Sequence, residues 1–147
     1  MSHQYGNLEQ LIDATGDIKR NIVLTGASSF IGNHYLFWKL QTAGNVHILD
    51  SNRKELHRRE KLEKALKKVA YTYGLSYLFE DEFTDKVSFL NGDLSLPLGG
   101  LPGSEMNTLR NEGIEEFWHF DGLHERDSKN REAYIKKNVE ATRNALY

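Results

Sequence analysis

The stretch "NIVLTGASSFIGNHYLFWKL", residues 21–40, changes character twice. Ile22-Val23-Leu24 is a continuous apolar run, the pattern of a strand buried on both faces. Small residues follow, and from Phe30 the period becomes helical, with Gly32, Leu36, Leu40 and Ala43 on one stripe and Gly44 as a stop. A strand that turns through glycine into a helix aims the helix's free N–H groups and partial positive charge at the turn, which suits an anion. Gly26 permits the tight turn, and Gly32 lets helix and strand approach. Gly26, Ser28, Ser29, Phe30, Ile31 and Gly32 are therefore the candidate contacts to a pyrophosphate. Ser29 stands where a middle glycine is expected: its Cβ crowds the phosphate, while its hydroxyl offers a donor. Gly32 is followed by Asn33 and not by Lys with Ser/Thr, so this is no ATP-type loop.

The rest of the chain alternates in the same way. Val46–Leu49 reads as a second strand closing on Asp50, and a long helix is expected from about Asn52 to Tyr73, with Leu56, Leu62, Leu66 and Val69 inward. Val87–Leu90 is a third strand, followed by the Gly- and Pro-rich loop "NGDLSLPLGGLPGS". Ser104 is placed to cap a short helix over Glu105–Asn111; Phe117–Phe120 reads as a fourth strand and Asn130–Tyr147 as a last helix. Upstream, Asn7 and Gln10 form a capping box for a short helix over residues 7–16, with Leu8, Leu11 and Ile12 as its apolar side. Residues 1–20 are thus a lead-in segment and 21–147 one domain. The order implies a doubly wound α/β fold with a parallel sheet and helices on both faces.

Such sheets bind ligands at the carboxyl ends of their strands, so four loops should converge on one crevice. Asp50 lies 24 positions beyond Gly26 and suits the hydroxyls of an adenosine ribose or, equally, a helix N-cap. Ser51 and Arg53 would welcome a 2′-phosphate instead, so NAD and NADP both remain open. Asp93 and Leu94 follow the third strand, where Asp93 would accept from the adenine amine or simply make a turn. His119, Phe120 and Asp121 end the fourth strand beside the middle of a dinucleotide. Agreement among the four loops points to a dinucleotide cofactor.

Composition narrows the class. In 147 residues, 19 basic side chains face 21 acidic ones for a net charge of −2, which gives nucleic acid no electrostatic footing. The basic run from Arg53 to Lys61 alternates with Glu55 and Glu60 and reads as a solvated helix face. Cysteine is absent, so disulfides and thiolate metal sites are excluded, and the histidines show no metal spacing. No apolar run reaches the roughly 20 residues of a membrane span, and the N-terminus is not a secretion signal. A soluble cytoplasmic protein with no membrane or nucleic-acid partner is expected.

In order, "TGASSFIG", "ILD", "GDL", "HFDG" and "NVEAT" resemble the extended short-chain dehydrogenase/reductase superfamily, whose forms are TGxxGxxG, a strand-ending acid or arginine, GDL, HxAA and NVxGT. The likeness covers about residues 20–147 and departs at Ser29, at Asp121-Gly122 and at Ala141. "KLEKALKKVAYTYGLS" with "FLNGDLSLPLGGLP" is similar to the thioester reductase and fatty acyl reductase branch. The resemblance implies a Rossmann-type domain, NADPH, and reduction of an acyl chain presented by an acyl carrier protein. That branch usually places an arginine where Ser51 stands. The resemblance also implies a catalytic Tyr-xxx-Lys pair after the NVxGT helix, beyond Tyr147, so this chain would carry the cofactor half and a C-terminal half the chemistry. Tyr35 and Lys39 have that spacing but follow the phosphate loop, and Tyr134 and Lys137 are only three apart. Two alternatives remain: an NAD-dependent nucleotide-sugar epimerase or dehydratase, which Asp50 favours, and a non-catalytic nucleotide-binding or interaction module that self-associates through an uncovered sheet edge.

Overall fold

The structure, a computed structural model, describes residues 20–50, 55–78, 85–122 and 130–146. The lead-in helix expected at residues 7–16, and Ser51 and Arg53, lie outside the described residues. Strands β1 (Asn21–Thr25), β2 (Val46–Asp50), β3 (Val87–Asn91) and β4 (Ile114–His119) form one sheet in the order β3-β2-β1-β4. Each pairing is parallel, with Val23 opposite His47 on one side and Phe117 on the other. Helices α1 (Phe30–Lys39), α2 (Glu55–Thr72) and α3 (Gly103–Glu112) make the crossovers. The chain ends in α4 (Arg131–Tyr134), a π-helical stretch (Ile135–Glu140) and α5 (Ala141–Leu146).

Alternation along the strands divides the core between two faces. Ile22, Leu24, Val46 and Ile48 pack with Leu36, Phe37 and Leu40 of α1 and Leu62, Leu66 and Val69 of α2. Val23, Leu49 and Leu90 turn to the opposite face and meet Leu109 of α3. Both faces of the central strands are covered, which is why their sequences read as unbroken apolar runs.

Several boundaries differ from the expectation. β4 begins at Ile114 and stops at His119, and the Phe120 N–H makes the last bond to β1, to Thr25 O at 3.1 Å. α3 starts at Gly103 after Pro102, so Ser104 sits inside the first turn and caps nothing. α1 ends at Lys39, and Gly44 instead donates to Arg20 O in the turn into β2. The Gly- and Pro-rich loop contains a short helical turn, Pro97–Gly100, with Leu98 at φ 55°. The basic run is not uniformly solvated either. Arg58 is 5% exposed, lies over the Phe89 ring, and donates to Asp50 O (3.2 Å) and Asn91 Oδ1 (2.8 Å).

Candidate functional site

The turn after β1 is built by two glycines in close quarters. Gly26 has φ +68°, and a Cβ there would lie 2.4 Å from both Asp121 N and Phe120 C. The turn after β4 is therefore seated directly on the phosphate-type loop. A Cβ on Gly32 would come within 2.0 Å of Gly26 O, so the first turn of α1 rests on the same loop. Ser29 is the N-cap of α1: its Oγ accepts the Gly32 N–H at 3.0 Å. Ala27 is buried and Ser28 exposed. Phe30 and Ile31 stand 77% and 65% exposed, in the first helical turn, where backbone N–H groups lack intrahelical acceptors. This cradle fits a phosphate in shape, with one N–H already taken by Ser29.

Two cavities open at the strand ends and share Leu49, Asp50 and Asp121. One, about 240 Å³, lies beside Gly26, Ala27 and Ser28 and is walled by His57, Arg58 and Lys61 of α2. The other, about 450 Å³, passes Gly92, Asp93 and Leu94 and is walled by Asn130, Lys136 and Lys137. The joined crevice is long enough to run from the phosphate-type loop to the end of β3, with cations on both walls. Sequence reasoning missed Arg58, Lys136 and Lys137 as wall residues.

Asp93 makes its own turn as well as facing the cavity. Its carboxylate accepts the Ser95 N–H at 2.8 Å, and hydrogen bonding from Ser95 holds it below the usual carboxylate range. Leu94 packs in the second core, and its carbonyl accepts from Asn144 Nδ2 at 3.0 Å. His119 is half-buried, 2.6 Å from Thr25 Oγ1, and burial lowers its pKa against the opposing pull of Asp121. Phe120 turns its ring onto Tyr35.

Tyr35 and Lys39 belong to a different setting. The Tyr35 ring packs on Trp118 and Phe120, and its buried hydroxyl has no partner among the described residues. Burial, aided by the Glu116 carboxylate, raises its pKa, the opposite of what a proton-exchanging tyrosine needs. Lys39 is occupied by Glu116 at 2.8 Å. Among the described residues, no group of three His, Asp or Glu side chains is placed to hold a metal.

A parallel sheet with a glycine-shaped loop feeding a helix, and a crevice across its strand ends, defines a Rossmann-type dinucleotide-binding domain. The NAD-binding family described as male sterility protein matches residues 24–147, and the chain belongs to it. The terminal R domain from the myxalamid PKS-NRPS biosynthetic pathway is similar at 26% identity and TM-score 0.68, over 90% of this chain and 32% of that one. The reductase (R) domain of a nonribosomal peptide synthetase from Mycobacterium tuberculosis shares the fold at 21% identity and TM-score 0.66, over 88% and 30%. An ElxO variant with NADPH bound shares it at 15% identity and TM-score 0.61, over 88% and 48%. No curated protein sequence matches the chain. The chain spans about a third of the R domains it resembles. It is a Rossmann-type NAD(P)-binding domain of that family.

Proposed function

We propose that this chain supplies the cofactor site of a cytoplasmic, NADPH-dependent reductase that, as a complete protein, releases an acyl chain from its carrier-bound thioester. The observation that carries the reading is the crevice at the strand ends, with its glycine-shaped loop and cation-lined walls. Likeness to R domains of assembly-line synthetases supports the thioester as substrate class and a carrier-borne acyl group as partner. When bound, the cofactor supplies a hydride; the residues of this chain bind and orient it. Gly26 and Gly32 shape the pyrophosphate cradle, the first turn of α1 offers N–H groups, and Asp93 and Leu94 flank the adenine end. Phe120 and Asp121 border the middle of the dinucleotide. The outer edge of β4, unpaired among the described residues, is where a further strand or a second copy would join.

The phosphorylated cofactor is favoured by His57, Arg58 and Lys61, three basic side chains on the wall beside Asp50. Asp50 itself supports the competing NAD reading, because a carboxylate there suits an unmodified ribose. Titration of the purified chain with NADPH and NADH separates them. We expect NADPH to bind more tightly and Lys61→Ala to remove most of the preference. A preference for NADH that Asp50→Ala abolishes would favour the nucleotide-sugar branch, and no saturable binding of either would sink the cofactor assignment.

A further inference from the structure

Three side chains from distant parts of the chain meet in a directed hydrogen-bond series. Thr25 ends β1 fully buried, and its hydroxyl lies 2.6 Å from Nδ1 of His119 at the end of β4. The other ring nitrogen, Nε2, lies 3.1 Å from Thr142 Oγ1 in α5. Thr142 in turn donates to the carbonyl of Asn138, within the π-helical stretch, at 2.7 Å. A hydroxyl carries a single hydrogen. Since that of Thr142 is committed to Asn138, its oxygen accepts from His119, and Nε2 bears the proton. Nδ1 is then bare and receives the Thr25 hydroxyl. One ring in one tautomer ties β1, β4 and the last helix together.

We propose that His119 is a positioning residue that sets the width of the nucleotide crevice. Its neutral Nε2–H ring braces the helical wall bearing Asn130, Lys136 and Lys137 against the Thr25–Gly26 turn that cradles the pyrophosphate. The inference rests on the cofactor-site reading above. Its geometry assigns each end of the brace a job. Thr25 immediately precedes Gly26, and Thr142 follows Ala141, which itself lines the larger cavity. The wide π turn is also where helices carry irregularities at functional sites.

The brace should also depend on pH. A proton added to Nδ1 would face the donor hydrogen of Thr25, and that buried hydroxyl would have to give up its acceptor. β1 and α5 present only uncharged hydroxyls to the ring, while the Asp121 carboxylate, two residues on, favours the imidazolium. Burial outweighs it and keeps the ring neutral below the ordinary histidine range. Cofactor affinity is therefore full at neutral pH and falls on the acid side as His119 takes its second proton.

Ring ¹⁵N spectra of the chain, followed against pH, test the tautomer without any cofactor. We expect a pyrrole-type signal for Nε2 and a pyridine-type signal for Nδ1 at pH above the ordinary value; the reverse assignment would overturn the proposal. Thr142→Val removes the acceptor while keeping side-chain shape, and Thr142→Ser retains it. We expect the valine variant to weaken NADPH roughly fivefold, the worth of one neutral hydrogen bond, and to flatten the acid fall, with serine restoring both. Equal affinities and identical pH profiles in wild type and the valine variant would overturn the brace. If the wild-type chain binds no NADPH, the cofactor reading fails separately. Amide shifts of Thr25–Ala27 then decide the brace: displacement by valine but not serine supports it, and no displacement overturns it.

Discussion

Ser29 combines two effects that substitution can separate. Its hydroxyl caps α1 by taking the Gly32 N–H, which stabilises the helix but withdraws that N–H from an incoming anion. Ser29→Gly should therefore tighten NADPH binding while lowering stability by only a few tenths of a kcal/mol, whereas Ser29→Ala should lose about 1 kcal/mol without tightening. Urea denaturation paired with cofactor titration checks both halves, and weaker binding in the glycine variant would mean the hydroxyl itself contacts phosphate. Gly26 allows no such trade. With φ +68° and the Asp121 N–H in the way of any Cβ, Gly26→Ala must displace the turn after β4. We expect a loss of about 1–3 kcal/mol from the backbone strain together with lost cofactor binding, read by thermal unfolding with and without NADPH.

At the scale of elements, two polar anchors decide how helices and strands meet. Arg58 fastens α2 to the ends of β2 and β3 through Asp50 O and Asn91 Oδ1. Arg58→Met removes the guanidinium, which lies 5.2 Å over the Phe89 ring, and should lower stability by about 2 kcal/mol, since charge-assisted bonds are lost; a urea midpoint unchanged from wild type would refute the anchor. Glu116 does the same for β4. Burial alone would raise its pKa, but Lys39, Trp118 and Arg20 hydrogen bond to it and hold it below the usual range. A carboxylate depressed in the folded chain contributes stability that is complete above its unfolded value, about 4.3, and is lost as pH falls through the folded value. Denaturation below pH ~4 should therefore be steeper in wild type than in Glu116→Gln. These anchors also mark where the sequence stopped being legible. Leu36, Leu40, Leu62 and Leu66 announced their helices by spacing, and the parallel order gathered four strand-end loops at one crevice. The start of β4 was hidden because Glu115 and Glu116 carry no apolar signal, and the cations that hold Glu116 in the strand, Arg20 and Lys39, lie far away in sequence. Within the basic run, nothing local separates buried Arg58 from the exposed His57 and Lys61. That distinction is made by Phe89 and Asn91 on another strand. The Thr25–His119–Thr142 series was invisible for the same reason: each member lay in a quoted motif, but their contact exists only once the last helix folds back on the sheet.

Across the whole molecule, the two edges of the sheet differ in kind. Beside β3, Arg59 donates to Val87 O, placing a cation at that strand. β4 presents Phe117 and Trp118, each 39% exposed, on the opposite edge. Among the described residues no strand pairs with the outer side of β4; an edge with unpaired backbone groups and aromatic side chains is a template for pairing, whereas a lysine on such a strand opposes it. Phe117 also borders an apolar groove of about 420 Å³ lined by Leu98, Leu101, Met106 and Leu109, so apolar surface continues from the strand onto α3. We therefore expect the isolated chain to self-associate as its concentration rises, and Phe117→Lys to shift it to monomer while leaving NADPH affinity intact, because Phe117 lies outside the two cavities that form the crevice. Sedimentation velocity over a concentration series measures this directly. A wild-type chain that sediments as a monomer throughout would show the β4 edge to be protected, and a lysine variant that associates as readily as wild type would move the contact to another surface.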